Sequence, residues 1–125
     1  MALLNFRNTK TDLIIPTPTE MMYFNQFLRQ TTHLGIGAHP DDNEIMAYHG
    51  IGVCYDDKEK WFTGVVITYG AGCTKEGTYK NFTEDELVRI RHDELLKAAK
   101  AVNFLALAHL NYTSQELKRD RKSDV

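Results

Sequence analysis

The sequence has few of the features that set unusual classes of protein apart. It contains only two cysteines, Cys54 and Cys73, which excludes a disulfide framework and predicts free thiols in a reducing compartment. No stretch approaches the ~18 consecutive apolar residues of a membrane-spanning helix. Residues 1–20 lack the basic segment and the long apolar segment of a secretory signal. We therefore expect a cytoplasmic protein without a membrane span.

The chain also lacks an excess of charge of either sign. Its formal net charge is −2 and its pI is about 6.2, so its charge gives no reason to expect nucleic acid or an anionic membrane as a partner. The one basic cluster, within residues 118–124, is interleaved with aspartate and is typical of a solvated segment. A length of 125 residues, of which 42% are hydrophobic, is enough for one compact domain.

The spacing of apolar residues predicts alternating helices and strands. Residues 1–18 are expected to form an irregular arm, and residues 19–125 the domain. Three helices are predicted, from Thr19 to about Gln30, from Pro40 towards Val53 and, behind a Thr83 capping box, from 83 to about 102. Three strands are predicted, over residues 33–38, 61–68 and 104–110. This order is typical of an α/β fold with a mostly parallel sheet covered by helices.

Ligands of such sheets bind beside the carboxyl ends of the strands. Residues 39–42 follow the first predicted strand, and the glycine-containing loop 70–77 follows the second. Both segments should therefore lie at the same edge of the sheet. The loop does not match G-x-G-x-x-G, so a nucleotide-binding fingerprint is not supported. A mobile substrate loop and a plain surface loop both remain open.

The segment 37–44, GAHPDDNE, allows two interpretations. The first is a helix start, in which proline occupies the first helical position and acidic residues favour the helix dipole. The second is a metal site: His39 and Asp42 stand three apart across a tight turn and can face one ion, while Asp41 faces another side and can accept a proton from water. A helix start needs one aspartate and no histidine, so the second interpretation explains more of the segment.

The same segment resembles a family signature. Ala38–Glu44 is similar to the AHPDDxE motif of the LmbE-like, or PIG-L, zinc-dependent N-deacetylases. Val65–Gly70 resembles the second strand of that family and Leu87–Leu95 resembles its I-R-x-x-E-L helix. The resemblance runs from about residue 32 to 117. It implies a Rossmann-like, three-layer αβα fold with a mostly parallel sheet, of which this chain would be the N-terminal half.

The resemblance also implies an activity and residue roles. The substrate would be a small N-acetylated amino sugar or glycoconjugate, an N-acetylglucosaminyl compound, from which the acetyl group is removed. His39 and Asp42 would bind Zn²⁺, and Asp41 would be the catalytic general base. Nitrogen and oxygen ligands together also permit another divalent metal. A homo-oligomer remains open.

The sequence departs from the family pattern in two ways. Thr68–Ala71, TYGA, stands where the family often has T-R-G-E, and the H-P-D-H-like motif that carries the third zinc ligand does not occur in these 125 residues. The remaining histidines are weak substitutes. We expect His109 at the end of the third strand as a core or rim residue, His33 at the wrong end of its strand, His49 exposed or packed two turns beyond Asp42, and His92 solvated.

Two other functions remain open from the sequence. One is a truncated or diverged non-catalytic half-domain, or a carbohydrate-binding module, that lacks a complete metal site. A nucleotide-binding module is the weakest alternative, since no glycine motif for phosphate is present. Three strands would leave an unprotected sheet edge and an exposed apolar face, which predicts self-association of the isolated chain.

Overall fold

The computed structural model of the chain describes residues 10–16, 29–69, 82–113 and 115–117. The strands are β1 (Asp12–Ile14), β2 (His33–Gly37), β3 (Phe62–Thr68) and β4 (Ala106–Tyr112), and the helices are α1 (Asp42–Met46), α2 (Tyr48–Asp56) and α3 (Glu84–Ala101). Most of the helix predicted from Thr19, the loop 70–77 and Cys73 lie outside the described residues.

The four strands form one sheet in the order β1-β4-β3-β2. The pairs β2–β3 and β3–β4 are parallel, which confirms the predicted α/β fold with a mostly parallel sheet. The sheet is nevertheless mixed, because β1 pairs antiparallel to β4, with Asp12 opposite His109. The expectation of an irregular arm over 1–18 is therefore wrong at β1. A strand of three residues is too short to show the alternation of apolar and polar residues that predicts a strand, and its conformation depends on backbone pairing with β4.

Helix α3 follows its sequence signals closely. The Thr83 hydroxyl accepts a hydrogen bond from the backbone N–H of Glu86 at 3.2 Å, and the first turn is acidic. Leu87, Leu95 and Ala99 are buried along one side of the helix. The predicted N-cap and apolar stripe are thus confirmed, because both depend on residues a few positions apart.

The helix predicted from Pro40 differs from the prediction at both its start and its middle. It begins at Asp42, since Asp41 has φ of 80° and ψ of −18°, a left-handed conformation that cannot belong to a right-handed helix. It is interrupted at Ala47, whose N–H still donates to the Asn43 carbonyl at 2.9 Å before α2 begins at Tyr48. Pro40 is therefore not the first helical residue, which removes part of the helix-start interpretation.

The main core lies between one face of the sheet and the helices α2 and α3. It is formed by residues from both helices and from β3, β4 and the approach to β4: Ile51, Cys54, Phe62, Val66, Leu95, Ala99, Phe104 and Leu107. A smaller cluster around Leu105 and Ala106, with Leu13 and Trp61, is separate from it. The second helical layer of the expected three-layer fold would fall outside the described residues.

Strand β2 lies at an edge of the described sheet and carries an uncovered apolar face. Gly35 and Gly37 face α1, because a Cβ atom built on either glycine would meet Asn43 or Asp42. Alternation along the strand places Leu34 and Ile36 on the opposite face, where each is 59% exposed. None of the described helices has the length and apolarity needed to cross a bilayer.

Candidate active site

The site lies where the parallel strands β2 and β3 end side by side. The backbone N–H and the hydroxyl of Thr68, the last residue of β3, both donate to the Ala38 carbonyl, at 2.9 and 2.8 Å. Ala38 directly follows β2, so these two bonds hold the start of the turn beside the end of β3. The placement of residues 39–42 at the carboxyl edge of the sheet is as predicted.

The turn brings His39 and Asp42 together. Asp42 Oδ2 accepts a hydrogen bond from the His39 backbone N–H at 2.9 Å and lies 3.4 Å from His39 Nδ1. The Asp42 N–H donates to the His39 carbonyl at 3.2 Å, which closes the turn. The three-residue spacing therefore places an imidazole nitrogen and a carboxylate oxygen next to each other, a donor pair suited to zinc.

These two side chains alone would supply only part of a metal site. A structural zinc site has four protein ligands and a catalytic one has about three. Within the described ranges, no three histidine, cysteine, aspartate or glutamate side chains are grouped so that they could hold one ion. His39 and Asp42 therefore fit a divalent metal as two ligands, and a site built on this pair would need a further ligand from outside the described residues.

Asp41 faces a different partner. Its Oδ2 lies 3.5 Å from Nη1 of Arg91 on α3, and its side chain is 58% exposed while that of Arg91 is 22% exposed. Asp41 occupies the N-cap position of α1 but makes no side-chain capping hydrogen bond. Its left-handed backbone conformation is uncommon outside glycine, although aspartate tolerates it better than most residues. Helix capping therefore does not account for Asp41.

Asn43 and two glycines allow α1 to lie close against β2. Asn43 is buried, and its Nδ2 donates to the Val65 carbonyl of β3 at 3.1 Å. A Cβ atom on Gly35 would lie 2.8 Å from Asn43 Oδ1, and one on Gly37 would lie 2.9 Å from Asp42 Cβ. The spacing of apolar residues gave no indication of this role for the two glycines.

Glu44 ends the signature segment in a half-buried position. Neither of its carboxylate oxygens has a hydrogen-bond partner in another described residue. Burial raises the pKa of the Glu44 carboxyl, its own backbone N–H partly offsets the rise, and the like charges of Asp41 and Asp42 add to it. The carboxyl group is thus destabilised in its charged form.

Two histidines, of which His109 is buried, contact each other next to Thr68. His109 is 1% exposed; its Nε2 lies 2.9 Å from the Thr68 carbonyl and its Nδ1 lies 3.0 Å from Nδ1 of His92. The two ring planes are nearly parallel, at 12°, and their centroids lie 5.2 Å apart. Burial lowers the pKa of His109, the bond to Thr68 partly offsets this, and His92 lowers it further.

This contact corrects two expectations and confirms a third. His92 is not a solvated helix residue, and His109 lies within β4 rather than at its end. His109 is a core histidine, as expected, and both of its ring nitrogens are engaged by protein atoms. Helical periodicity alone could not reveal the contact, because it joins α3 to a strand 17 residues away.

The other histidines lie as predicted. His33 begins β2, at the end of the strand opposite the site, with its Nδ1 2.9 Å from the Thr32 hydroxyl. His49 is exposed on α2. Neither is placed beside His39 and Asp42 by any described contact.

The fold and site together define an α/β protein with a His–Asp pair at the carboxyl edge of a mostly parallel sheet. A sequence model of the family described as GlcNAc-PI de-N-acetylase, PIG-L, matches residues 34–125. This chain belongs to that family.

A solved structure supports the same relationship. The chain is similar to N,N'-diacetylchitobiose deacetylase from Pyrococcus horikoshii, solved with its inhibitor MPG, at 26% identity and a TM-score of 0.56. The similarity covers 81% of this chain but only 39% of that deacetylase. No curated protein matches the chain in sequence.

Proposed function

We propose that this chain carries the N-terminal part of the active site of a metal-dependent deacetylase that acts on an N-acetylated amino sugar. Membership of the PIG-L family and the similarity to a chitobiose deacetylase support this class of substrate. The observation that carries the proposal is that two adjacent aspartates of one turn have different partners. Asp42 contacts His39, whereas Asp41 contacts Arg91.

In this proposal His39 and Asp42 are two ligands of Zn²⁺, or of another divalent metal. Such a metal, when bound, polarises the acetyl carbonyl and lowers the pKa of water. The ligand pair is suited to this role because its two donor atoms lie 3.4 Å apart. The turn that joins them is closed by one backbone hydrogen bond and by one from the His39 N–H to the Asp42 carboxylate. The missing third ligand is proposed to come from outside the described residues.

Asp41 is proposed as the general base. It lies next to the ligand pair in sequence, but its carboxylate contacts Arg91 and not His39, so it is separate from the two proposed ligands, as a general base has to be. Hydrolysis adds water across the amide C–N bond: the carboxylate accepts a proton from the water, and the leaving nitrogen takes that proton as the bond breaks. The products are the free amine of the sugar and acetic acid, which ionises to acetate and a released proton.

A non-catalytic carbohydrate-binding role is the second candidate. It is favoured by the two-ligand donor set of the described residues and by the 39% coverage of the deacetylase structure. The presence of Tyr69, where the family often has an arginine, also favours this candidate. This candidate predicts binding of an N-acetylated sugar without release of acetate.

The test is the metal content of the purified chain after exhaustive dialysis, together with acetate release from an N-acetylglucosaminyl oligosaccharide. We expect retained zinc that is lost in His39→Ala and Asp42→Ala, and acetate release that a chelator abolishes. The matched control is His49→Ala, which removes an exposed histidine outside the site. Acetate release that persists in Asp42→Ala and with the chelator would overturn the proposal. Sugar binding with neither zinc nor acetate release would favour the second candidate.

A further inference from the structure

We propose that His109 and His92 are positioning residues that hold the peptide group carrying His39, acting through Thr68. The proposal rests on the proposed function only in treating His39 as a metal ligand. The positions of the hydrogen bonds and the ring tautomers are independent of that role, and they can be measured separately.

The first step is the peptide group between Ala38 and His39, which is held at both ends. Its carbonyl accepts two hydrogen bonds from Thr68, from the backbone N–H at 2.9 Å and from the hydroxyl at 2.8 Å. Its N–H donates to Asp42 Oδ2 at 2.9 Å. The orientation of this peptide sets where the His39 side chain leaves the backbone, so Thr68 controls the direction of the proposed ligand.

The second step is the support of Thr68 itself. Its side chain and backbone are buried at the end of β3, and its carbonyl lies 2.9 Å from Nε2 of His109. Thr68 therefore accepts a hydrogen bond from His109 and donates two to Ala38. An apolar residue at position 109 would fill the core but would remove this donor from the Thr68 carbonyl, and the loss of a hydrogen bond at a buried carbonyl is unfavourable.

The third step is the proton arrangement of the two rings. A carbonyl only accepts, so Nε2 of His109 must carry a proton. Burial lowers the pKa of His109, so the ring is neutral at pH 7 and its Nδ1 is an acceptor. The 3.0 Å contact then requires a donating N–H at Nδ1 of His92. His92 thereby selects the tautomer of His109 that supports Thr68.

Two neighbouring residues of helix α3 thus interact with the site, one directly and one through other residues. Arg91 contacts the carboxylate of Asp41 directly, and His92 acts through His109 and Thr68 on the peptide of His39. One helix therefore positions both the proposed base and one proposed ligand. A displacement of α3 relative to the sheet would change both at once.

The direct test is the tautomeric state of the rings in the 125-residue chain, from ¹⁵N-edited NMR spectra at pH 7.5. We expect His109 to be protonated at Nε2 and His92 at Nδ1. A His109 ring protonated only at Nδ1 would overturn the proposal. This measurement needs neither metal nor activity.

The second test compares variants for amide protection and zinc affinity. In His109→Leu we expect hydrogen exchange of the His39 amide to rise at least about tenfold and zinc affinity to fall on the order of tenfold, as is usual for lost supporting contacts. His109→Gln, which retains an N–H donor, should recover part of both. His49→Leu is the matched control and should change neither.

Thr68 provides a second pair of variants should His109→Leu not fold. Thr68→Val removes the hydroxyl donor to Ala38, whereas Thr68→Ser retains it, so only Thr68→Val should weaken protection of the His39 amide. Equal protection in Thr68→Val and Thr68→Ser would contradict the proposal. Zinc binding that is unaffected by His39→Ala would instead refute the ligand assignment, and the amide measurements would still decide the positioning role.

Discussion

A single oxygen of Asp42, Oδ2, lies 2.9 Å from the backbone nitrogen of His39 and 3.4 Å from its ring nitrogen Nδ1. The carboxylate thus contacts both the backbone and the side chain of the same histidine. The preceding residue, Asp41, instead lies 3.5 Å from Arg91 on another helix. Two adjacent aspartates with separate partners satisfy the requirement that a general base remain distinct from a metal ligand.

Substitution of Asp41 by asparagine should separate catalysis from stability. We expect acetate release to fall by about 10²-fold or more, because the proton acceptor is lost. The free energy of unfolding should change by less than about 1 kcal/mol, because asparagine tolerates the left-handed conformation and the exposed pair with Arg91 contributes little. Activity assays and urea unfolding check both. Asp56→Asn, on the exposed side of α2, is the control; full activity in Asp41→Asn would refute the base assignment.

Two glycine-to-alanine substitutions should have opposite effects. The added Cβ of Gly37→Ala would lie 2.9 Å from Asp42 Cβ, so α1 must shift, and we expect a loss of about 1–3 kcal/mol together with weaker zinc binding. Gly52→Ala, in α2, adds a Cβ with no atom within 4 Å and should stabilise the chain by roughly 0.5–1 kcal/mol. Urea unfolding and zinc titration measure both. Unchanged stability and zinc affinity in Gly37→Ala would show that close packing of α1 on β2 does not matter.

The stability of the chain should depend on pH through His109. Burial lowers its pKa in the folded state, whereas in the unfolded chain the pKa is about 6.5. Between these two values the unfolded state binds more protons. The contribution of His109 to the free energy of unfolding is therefore lost progressively as pH falls below about 6.5, and the loss ends below the folded pKa.

Urea unfolding at several pH values from 5 to 8 measures this dependence. His109→Leu should reduce the slope of the free energy of unfolding against pH below pH 6.5, because the titrating ring is removed. His49→Leu removes an exposed histidine and should retain the slope. A slope in His109→Leu equal to that of the unmodified chain would show that other groups dominate acid destabilisation.

The exposed face of β2 should drive self-association of the chain. Leu34 and Ile36 are each 59% exposed on an edge strand of the described sheet. The double substitution Leu34→Thr/Ile36→Thr retains β-propensity and should lower the apparent mass in light scattering at micromolar concentrations. Tyr55→Thr removes an exposed aromatic residue of α2 and should not. A monomeric, cooperatively melting chain without any substitution would contradict the prediction.

Local sequence signals predicted a large part of the fold. The strands β2 and β3 lie within about one residue of their predicted bounds, β4 is displaced by two, and the Thr83 cap of α3 forms as expected. The strand β1 was missed because its conformation depends on pairing with β4, almost 100 residues away. The interruption at Ala47 was missed because the apolar pattern on either side of it continues with helical spacing.

In the candidate site, too, contacts between residues close in sequence were predictable and contacts between distant elements were not. The nearness of His39 to Asp42 followed from a spacing of three residues and was predictable. The contact of Asp41 with Arg91, 50 residues away, and that of His92 with His109 depend on how α3 packs on the sheet. Nothing in the charges around His92 indicated a buried partner.

Short-range sequence patterns were enough to predict the types of most elements, the family and the turn that joins His39 to Asp42, because these depend on residues that interact within a few positions of one another. The folded chain was needed to show that Asp41 adopts a left-handed conformation and faces Arg91, and that Thr68 links His109 to the peptide of His39. These relationships join separate elements at the carboxyl edge of the sheet. Their distances follow from the packing of α3 against β3 and β4, which no short-range pattern encodes.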